Sequence, residues 1–299
     1  MARCERNDFC STQIARSNEY GDGVAGRVHA PSFGKLRRWL LAGGLLLCMS
    51  ACTRTGRGAN AADTDRQSDA EYDLAREFFG RHDARSALAH AQKAIELNDQ
   101  NAEAHHFEAL IYLSFCAASP LECRLPDAEQ AARRAIQARP DYREAQNTLG
   151  VILIHEKKYP EAITVLQPLA NDILYQTPWD AWGNLGWAYL EQGRSDQAIQ
   201  ALRRSVAAEP RFCVGNYRLG LALEKKGDLP AAREAFSRAV ETNRPECHAL
   251  QDAFEARARV NSKSKNCDLA KGDWEKCREI SADSPAGQRC LASLKSSPC

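Results

Sequence analysis

Beyond residue 67 the hydrophobic pattern of the chain repeats itself. The stretch DAWGNLGWAYLEQGRSDQAIQALRRSVAAEP aligns with VGNYRLGLALEKKGDLPAAREAFSRAVETNRP. Leu185-Gly186 returns 34 residues later as Leu219-Gly220, Ala198 as Ala232 and Leu202 as Phe236. Leu149-Gly150, Ala162 and Leu166 stand 36 residues ahead of the same positions. Each unit reads as two helices. Gly193 and Gly227 lie at the turn between them, where a positive φ is often needed, and Pro210 stops the second helix. Gly186 and Gly220 fall where the first helix (A) packs closest to the second (B), and Ala198 and Ala232 do the same from helix B. Leu185, Tyr189 and Leu202 fill the space between hairpins.

A 34-residue two-helix period defines the tetratricopeptide (TPR) repeat. The register predicts an all-α helix-hairpin solenoid with five repeats over 68–246: 68–101, 102–142, 143–178, 179–212 and 213–246. The second holds seven extra residues between its helices, and the third is lengthened by Asp-Ile-Leu-Tyr-Gln-Thr-Pro ahead of Trp179. Residues 247–299 read as a degenerate sixth repeat with cysteine-stapled capping helices, since terminal repeats need a polar outer face. Residues 52–67, with no apolar periodicity, read as a flexible tether.

The N-terminal pattern is different. Lys35, Arg37 and Arg38 precede Trp39 and the apolar run Leu40 to Ala51. Twelve residues are too few for a bilayer span, which needs roughly 20, so 35–51 reads as a signal peptide. Met49-Ser50-Ala51-Cys52 resembles the lipobox of bacterial lipoproteins, with Met49 in place of the usual Leu; the resemblance implies acylation of Cys52. Thr53 in place of Asp implies the outer membrane as destination, and more than one acyl chain gives a firm anchor. Residues 1–34 are long and polar for an n-region and read as a mis-annotated or extended one, with Val24 or Val28 as candidate starts.

Composition narrows the function. Lys and Arg number 40 against 39 Asp and Glu, a net charge of +1 that excludes electrostatic nucleic-acid binding. Of the 12 cysteines, eight remain after signal cleavage and lipidation, an even number that suits disulfides in the periplasm. Cys116 and Cys123 flank the insertion of repeat two. Cys213 and Cys247 start helix A of adjacent repeats; helix spacing of ~8–10 Å exceeds the roughly 4.4–6.8 Å a disulfide allows, so local bending is expected. Cys277 and Cys290 tie the last helices together, and Cys267 and Cys299 remain. The Cys spacings lack the short pairs of structural zinc. No nucleotide, hydrolase or metalloprotease motif is present, so neither an enzyme nor a cofactor is expected. His105 and His106 read as lying on a solvated helix face.

In this architecture helix A lines the concave groove. Asn147, Val151, Ile154 and His155 of repeat three, Gly183, Trp187 and Leu190 of repeat four, and Tyr217, Leu221 and Glu224 of repeat five face it. Val151, Ile154, Trp187, Leu190 and Leu221 make a candidate apolar stripe for a partner, unless they pack against the neighbouring helix A.

The segment LANDILYQTPWDAWGNLGWAYLEQGRSDQAIQALRRSV (169–206), together with Arg-Phe-Cys at 211–213, Pro-Glu-Cys at 245–247, Cys277 and Cys290, resembles the type IV pilus biogenesis lipoproteins of the PilF/PilW type, and within them the Tgl branch. The Cys116–Cys123 insertion and the loop Asn261 to Asn266 depart from that pattern. The resemblance implies a pilotin, an outer-membrane lipoprotein whose partner is the pilus secretin and which supports pilus biogenesis and motility. A TPR adaptor for peptidoglycan enzymes or outer-membrane protein assembly is the alternative. The intact mass of the membrane-extracted protein should correspond to a chain beginning at acylated Cys52, and Cys52→Ala should abolish palmitate labelling. Retention of residues 1–34 in the mature protein would contradict the lipoprotein reading.

Overall fold

This computed structural model describes residues 56–296, except 243, 245, 246, 248 and 249. The signal peptide, Cys52 and Cys299 lie outside the described residues. Thirteen helices and no strand make up the described part: α1 (Gly56–Gly80), α2 (Ala84–Leu97), α3 (Ala102–Ala118), α4 (Leu125–Ala138), α5 (Arg143–His155), α6 (Tyr159–Ala170), α7 (Pro178–Glu191), α8 (Ser195–Ala208), α9 (Cys213–Lys226), α10 (Leu229–Glu241), α11 (Gln251–Lys263), α12 (Cys267–Ile280) and α13 (Pro285–Ser296). They pair in order as hairpins, α1 with α2 through α11 with α12, and α13 covers the last pair.

Each hairpin closes through one exchange of volume. A Cβ added at Gly150, Gly186 or Gly220 in the A helices would lie within 2.5 Å of Leu166, Leu202 or Phe236 of the B helices. The B-helix side chain thus occupies the space a larger A-helix residue would need. At the same register the first two hairpins carry Ala75 with Ala91 and Ala109 with Ala132, all buried. A second small position lies on helix B. Ala87, Ala128, Ala162, Ala198, Ala232 and Ala270 are each 0% exposed, which lets the two helices approach closely along the hairpin.

The turn seven residues beyond the small A-helix position needs a left-handed residue. His82, Lys157, Gly193, Gly227 and Lys265 supply it, with φ of 62°, 63°, 82°, 84° and 61°. Only two are glycines, so glycine marks two of these five turns. In the second hairpin the equivalent position is Cys116. There α3 continues to Ala118, and a disulfide to Cys123 (Cα–Cα 3.9 Å) closes the insertion.

Two sequence expectations are corrected. Gly56–Gln67 is not a tether but the start of α1. Periodicity could not find it because residues 62–67 are all exposed; Asp63 accepts from Arg66 and Gln67 (both 3.4 Å) along that stretch. Extending a helix that is already nucleated costs little. Second, the register slips by four residues before the sixth hairpin. Its small A-helix residue is Ala258, its left-handed turn residue Lys265 and its B-helix pair Ala270 and Trp274, so the hairpin begins at Gln251. Cys247 therefore lies four residues ahead of α11, not at the head of the sixth A helix. It is disulfide-bonded to Cys213 with a Cα–Cα distance of 5.8 Å.

Ala258, Ala270, Trp274, Cys277 and Cys290 form a separate small core under α13, joined by Phe254 and Leu294. Cys277 and Cys290 are bonded across it (Cα–Cα 6.3 Å), and Cys267 is also disulfide-bonded. Arg257 reaches Asp273 with two hydrogen bonds of 2.9 and 2.7 Å, tying α11 to α12.

The volume exchange predicts non-additive costs. Gly220→Ala should destabilise by about 1–3 kcal/mol through overpacking, and Phe236→Ala by about 3–5 kcal/mol through a cavity. The double variant, followed by calorimetry, should cost less than the two together because the added methyl fills part of that cavity. A double cost equal to the sum would mean that the two side chains do not compete for one space.

Candidate functional site

Helices α1, α3, α5, α7, α9 and α11 each lie against the next A helix, whereas the B helices splay apart. The A helices therefore form the inner face of a curved row. The residues expected to line a groove do stand here, but not as an open apolar stripe. Val151 (1% exposed), Ile154, Leu190 and Trp187 (7%) are buried between neighbouring A helices, and Tyr217 and Leu221 are half-buried. The cause is the tight A-to-A spacing, which buries position after position that an open groove would leave in water. Glu224 is also engaged, accepting from Arg259 (3.0 and 2.8 Å) and Lys263 (2.7 Å) of α11.

Polar side chains run as a ladder along this face. His106 of α3 meets Thr148 of α5 (Nε2···Oγ1 2.9 Å) and Tyr142 (Nδ1···OH 3.0 Å). Asn184 of α7 donates Nδ2–H to Asn147 Oδ1 of α5 at 2.9 Å. Arg218 of α9 donates to Asn184 Oδ1 (2.9 Å) and to the Gly183 carbonyl (3.2 Å). The register is regular. Thr148, Asn184 and Arg218 each stand two residues before a notch glycine, and each bonds a residue of the preceding A helix that stands three before its own notch: His106, Asn147 and Gly183.

The ladder ends in a compact aromatic and charged group. The Arg218 guanidinium lies 4.3 Å over the Trp187 ring, the His155 ring meets that ring edge-on at 5.1 Å, and Trp187 Nε1 donates to Glu191 at 3.3 Å. A guanidinium held between amide and carbonyl acceptors and an indole face is already oriented. Burial, then the Arg218 charge, lowers the His155 pKa to about 4. Burial, then Arg139, lowers His106 to about 4 as well. His106 (9% exposed) and His105 (3%) are therefore core residues, not members of a solvated face, because the neighbouring helix covers them.

Asn184 and Arg218 were missed as site residues. Their signal was the triplet before each notch, Thr-Leu-Gly, Asn-Leu-Gly and Arg-Leu-Gly, in which one polar position varies while the apolar pair repeats. The inserted loop before α7 was also only partly read. Asp172 accepts from Arg143 (2.7 Å) and from the Leu174 amide (2.8 Å), and Tyr175 is buried, so the loop is pinned while Ile173 (95% exposed) projects. Among the described residues no group of His, Cys, Asp or Glu is arranged to hold a metal ion, and no helix is long and apolar enough to cross a membrane.

The chain is thus an all-helical TPR solenoid, and the tetratricopeptide repeat family matches residues 124–173, 175–211 and 183–246. Its TPR repeats are similar in sequence to a type IV pilus assembly protein, PilF, and in fold to PilW. The type IV pilus assembly protein PilF of Pseudomonas aeruginosa is 27% identical over 172 residues, 56% of this chain and 64% of that protein, so the match spans just under two thirds of the relative's length. The crystal structure of PilW, a widely conserved type IV pilus biogenesis factor, superposes with a TM-score of 0.63 at 23% identity, covering 75% of this chain and 98% of that one. The solved structure of P. aeruginosa PilF gives 0.60 at 19% identity, covering 77% and 99%. Cut9 in its complex with Hcn1 reaches 0.64 at 15% identity, covering 80% of this chain and 46% of that one, so shape alone is shared well beyond pilus proteins.

The buried histidines set a pH dependence. Their folded pKa values lie below the unfolded value of about 6.5, so the unfolded chain takes up protons first as pH falls. Stability is full above about pH 6.5 and declines toward pH 4 by up to ~1.4 kcal/mol per pH unit for each histidine. Urea denaturation between pH 7.5 and 5 should show a shallower decline in His155→Gln and in His106→Gln than in wild type. Parallel declines would show that neither histidine is held neutral.

Proposed function

We propose that this chain is a pilotin: an outer-membrane lipoprotein, anchored through Cys52, that binds secretin subunits and promotes their assembly into the type IV pilus channel. The observation that carries the reading is the 27% identity over 172 residues with a type IV pilus assembly protein. Likeness to PilW over 98% of its chain agrees with it at the level of the fold.

The chemistry of the reading is binding, not catalysis. A row of A helices locked by the Asn147–Asn184–Arg218 ladder offers a rigid face, and rigidity lowers the entropy lost when a partner segment docks. The half-buried Tyr217 and Leu221 of α9 give a secretin segment apolar surface to cover. An acyl anchor confines the complex to one membrane and raises the effective concentration of captured subunits.

Deleting the gene should remove heat- and detergent-resistant secretin multimers while leaving secretin monomer present, with pili lost from the surface. Normal multimers in the deletion strain would contradict the proposal and point to an adaptor for another envelope pathway.

A further inference from the structure

A second site lies on the other side of the solenoid, between the splayed B helices α8 and α10. We infer that this cleft is a docking site for an extended, acidic and leucine-bearing segment of a protein partner, distinct from the A-helix face and independent of what that face binds.

The cleft has a volume of about 320 Å³, with Leu219 and Leu223 of α9 at its floor and Arg203, Glu234 and Arg238 at its sides. One position of its lining differs from repeat to repeat. Four residues before the notch glycine, repeat four carries Trp182, whose ring is covered by Arg204 at 4.6 Å. Repeat five carries Asn216 at the same register. Its short side chain lines the cleft and turns back to the connector ahead of α9.

Asn216 also leaves a polar group unanswered. It is 0% exposed, and both amide hydrogens are spent on the carbonyls of Pro210 (2.9 Å) and Phe212 (3.1 Å). Two carbonyl acceptors fix the amide orientation, so the other atom is the oxygen. That Oδ1 is buried without a hydrogen bond. A buried acceptor without a partner is costly, and a peptide N–H is the donor an extended segment supplies at every residue.

Charge selects the segment further. Glu234 is paired within its own helix to Arg238 (2.8 Å), while Arg203 makes no ion pair among the described residues. The lining is net positive, so a carboxylate on the ligand meets Arg203, and an adjacent leucine covers Leu219 and Leu223. Arginine recognises a carboxylate with paired hydrogen bonds, which a lysine-bearing ligand would not form and would repel.

The test is fluorescence polarisation with the full chain and three labelled hexapeptides, Ser-Leu-Asp-Leu-Glu-Ser, its Asn/Gln counterpart and its Lys/Lys counterpart. Saturable binding of the acidic peptide is expected, at least tenfold tighter than either counterpart. Arg203→Glu, an exposed substitution that leaves the core untouched, should weaken it at least tenfold. Asn216→Trp should abolish it by filling the cleft, with the helical spectrum retained. No saturable binding of the acidic peptide, or equal binding by Arg203→Glu, would overturn the inference. Secretin multimers report on the pilotin proposal alone, so the two can fail separately.

Discussion

The solenoid depends on a steric exchange between the two helices of each hairpin: where helix A gives up a side chain, helix B supplies one. Leu166, Leu202 and Phe236 lie where a Cβ on Gly150, Gly186 or Gly220 would stand. The sixth hairpin pairs Ala258 with Trp274, and the first two settle for alanine on both sides. Close approach of A to B fixes the thickness of each hairpin, and thickness in turn fixes how neighbouring hairpins stack. The row of A helices, the splay of the B helices and the spaces on either side all follow from it.

That exchange was legible in the sequence because it writes the same residue types at one spacing. Leu-Gly recurring at intervals of 36 and 34, with alanine twelve residues on, requires a periodic fold. What sits between periodic elements was less legible. Cys213 and Cys247 keep the 34-residue interval, yet the structural register slips by four residues ahead of α11, so an interval in sequence did not mean equivalent places in space. Helix α1 begins at Gly56 because helices propagate past their packed face, and no apolar pattern marks where propagation ends.

The candidate site divides along the same line. The positions facing the inner row were found by register, but the choice between an open stripe and packing against the neighbouring A helix was not, since exposure depends on how far apart successive A helices stand. Polar residues were read in isolation and so undervalued. Asn147, Asn184 and Arg218 gain meaning only when the bonds between them are seen. Buried polar groups demand partners, and a satisfied ladder holds neighbouring repeats in one relative arrangement. The same demand, unmet at Asn216, marks the cleft on the opposite side. One solenoid thereby presents a face on which Asn147, Asn184 and Arg218 bond one another and a cleft whose buried acceptor awaits a donor.

The proposed pilotin role requires that the inner face be the surface that meets the pilus secretin. The most direct measurement places a photo-crosslinking amino acid at half-buried Tyr217 of α9, in cells that make type IV pili, followed by a blot for the secretin. The account predicts a crosslinked band that contains both this chain and the secretin, and none when the crosslinker sits at exposed Arg133 on α4. Equal crosslinking at both positions, or a Tyr217 adduct with no secretin in it, would contradict it.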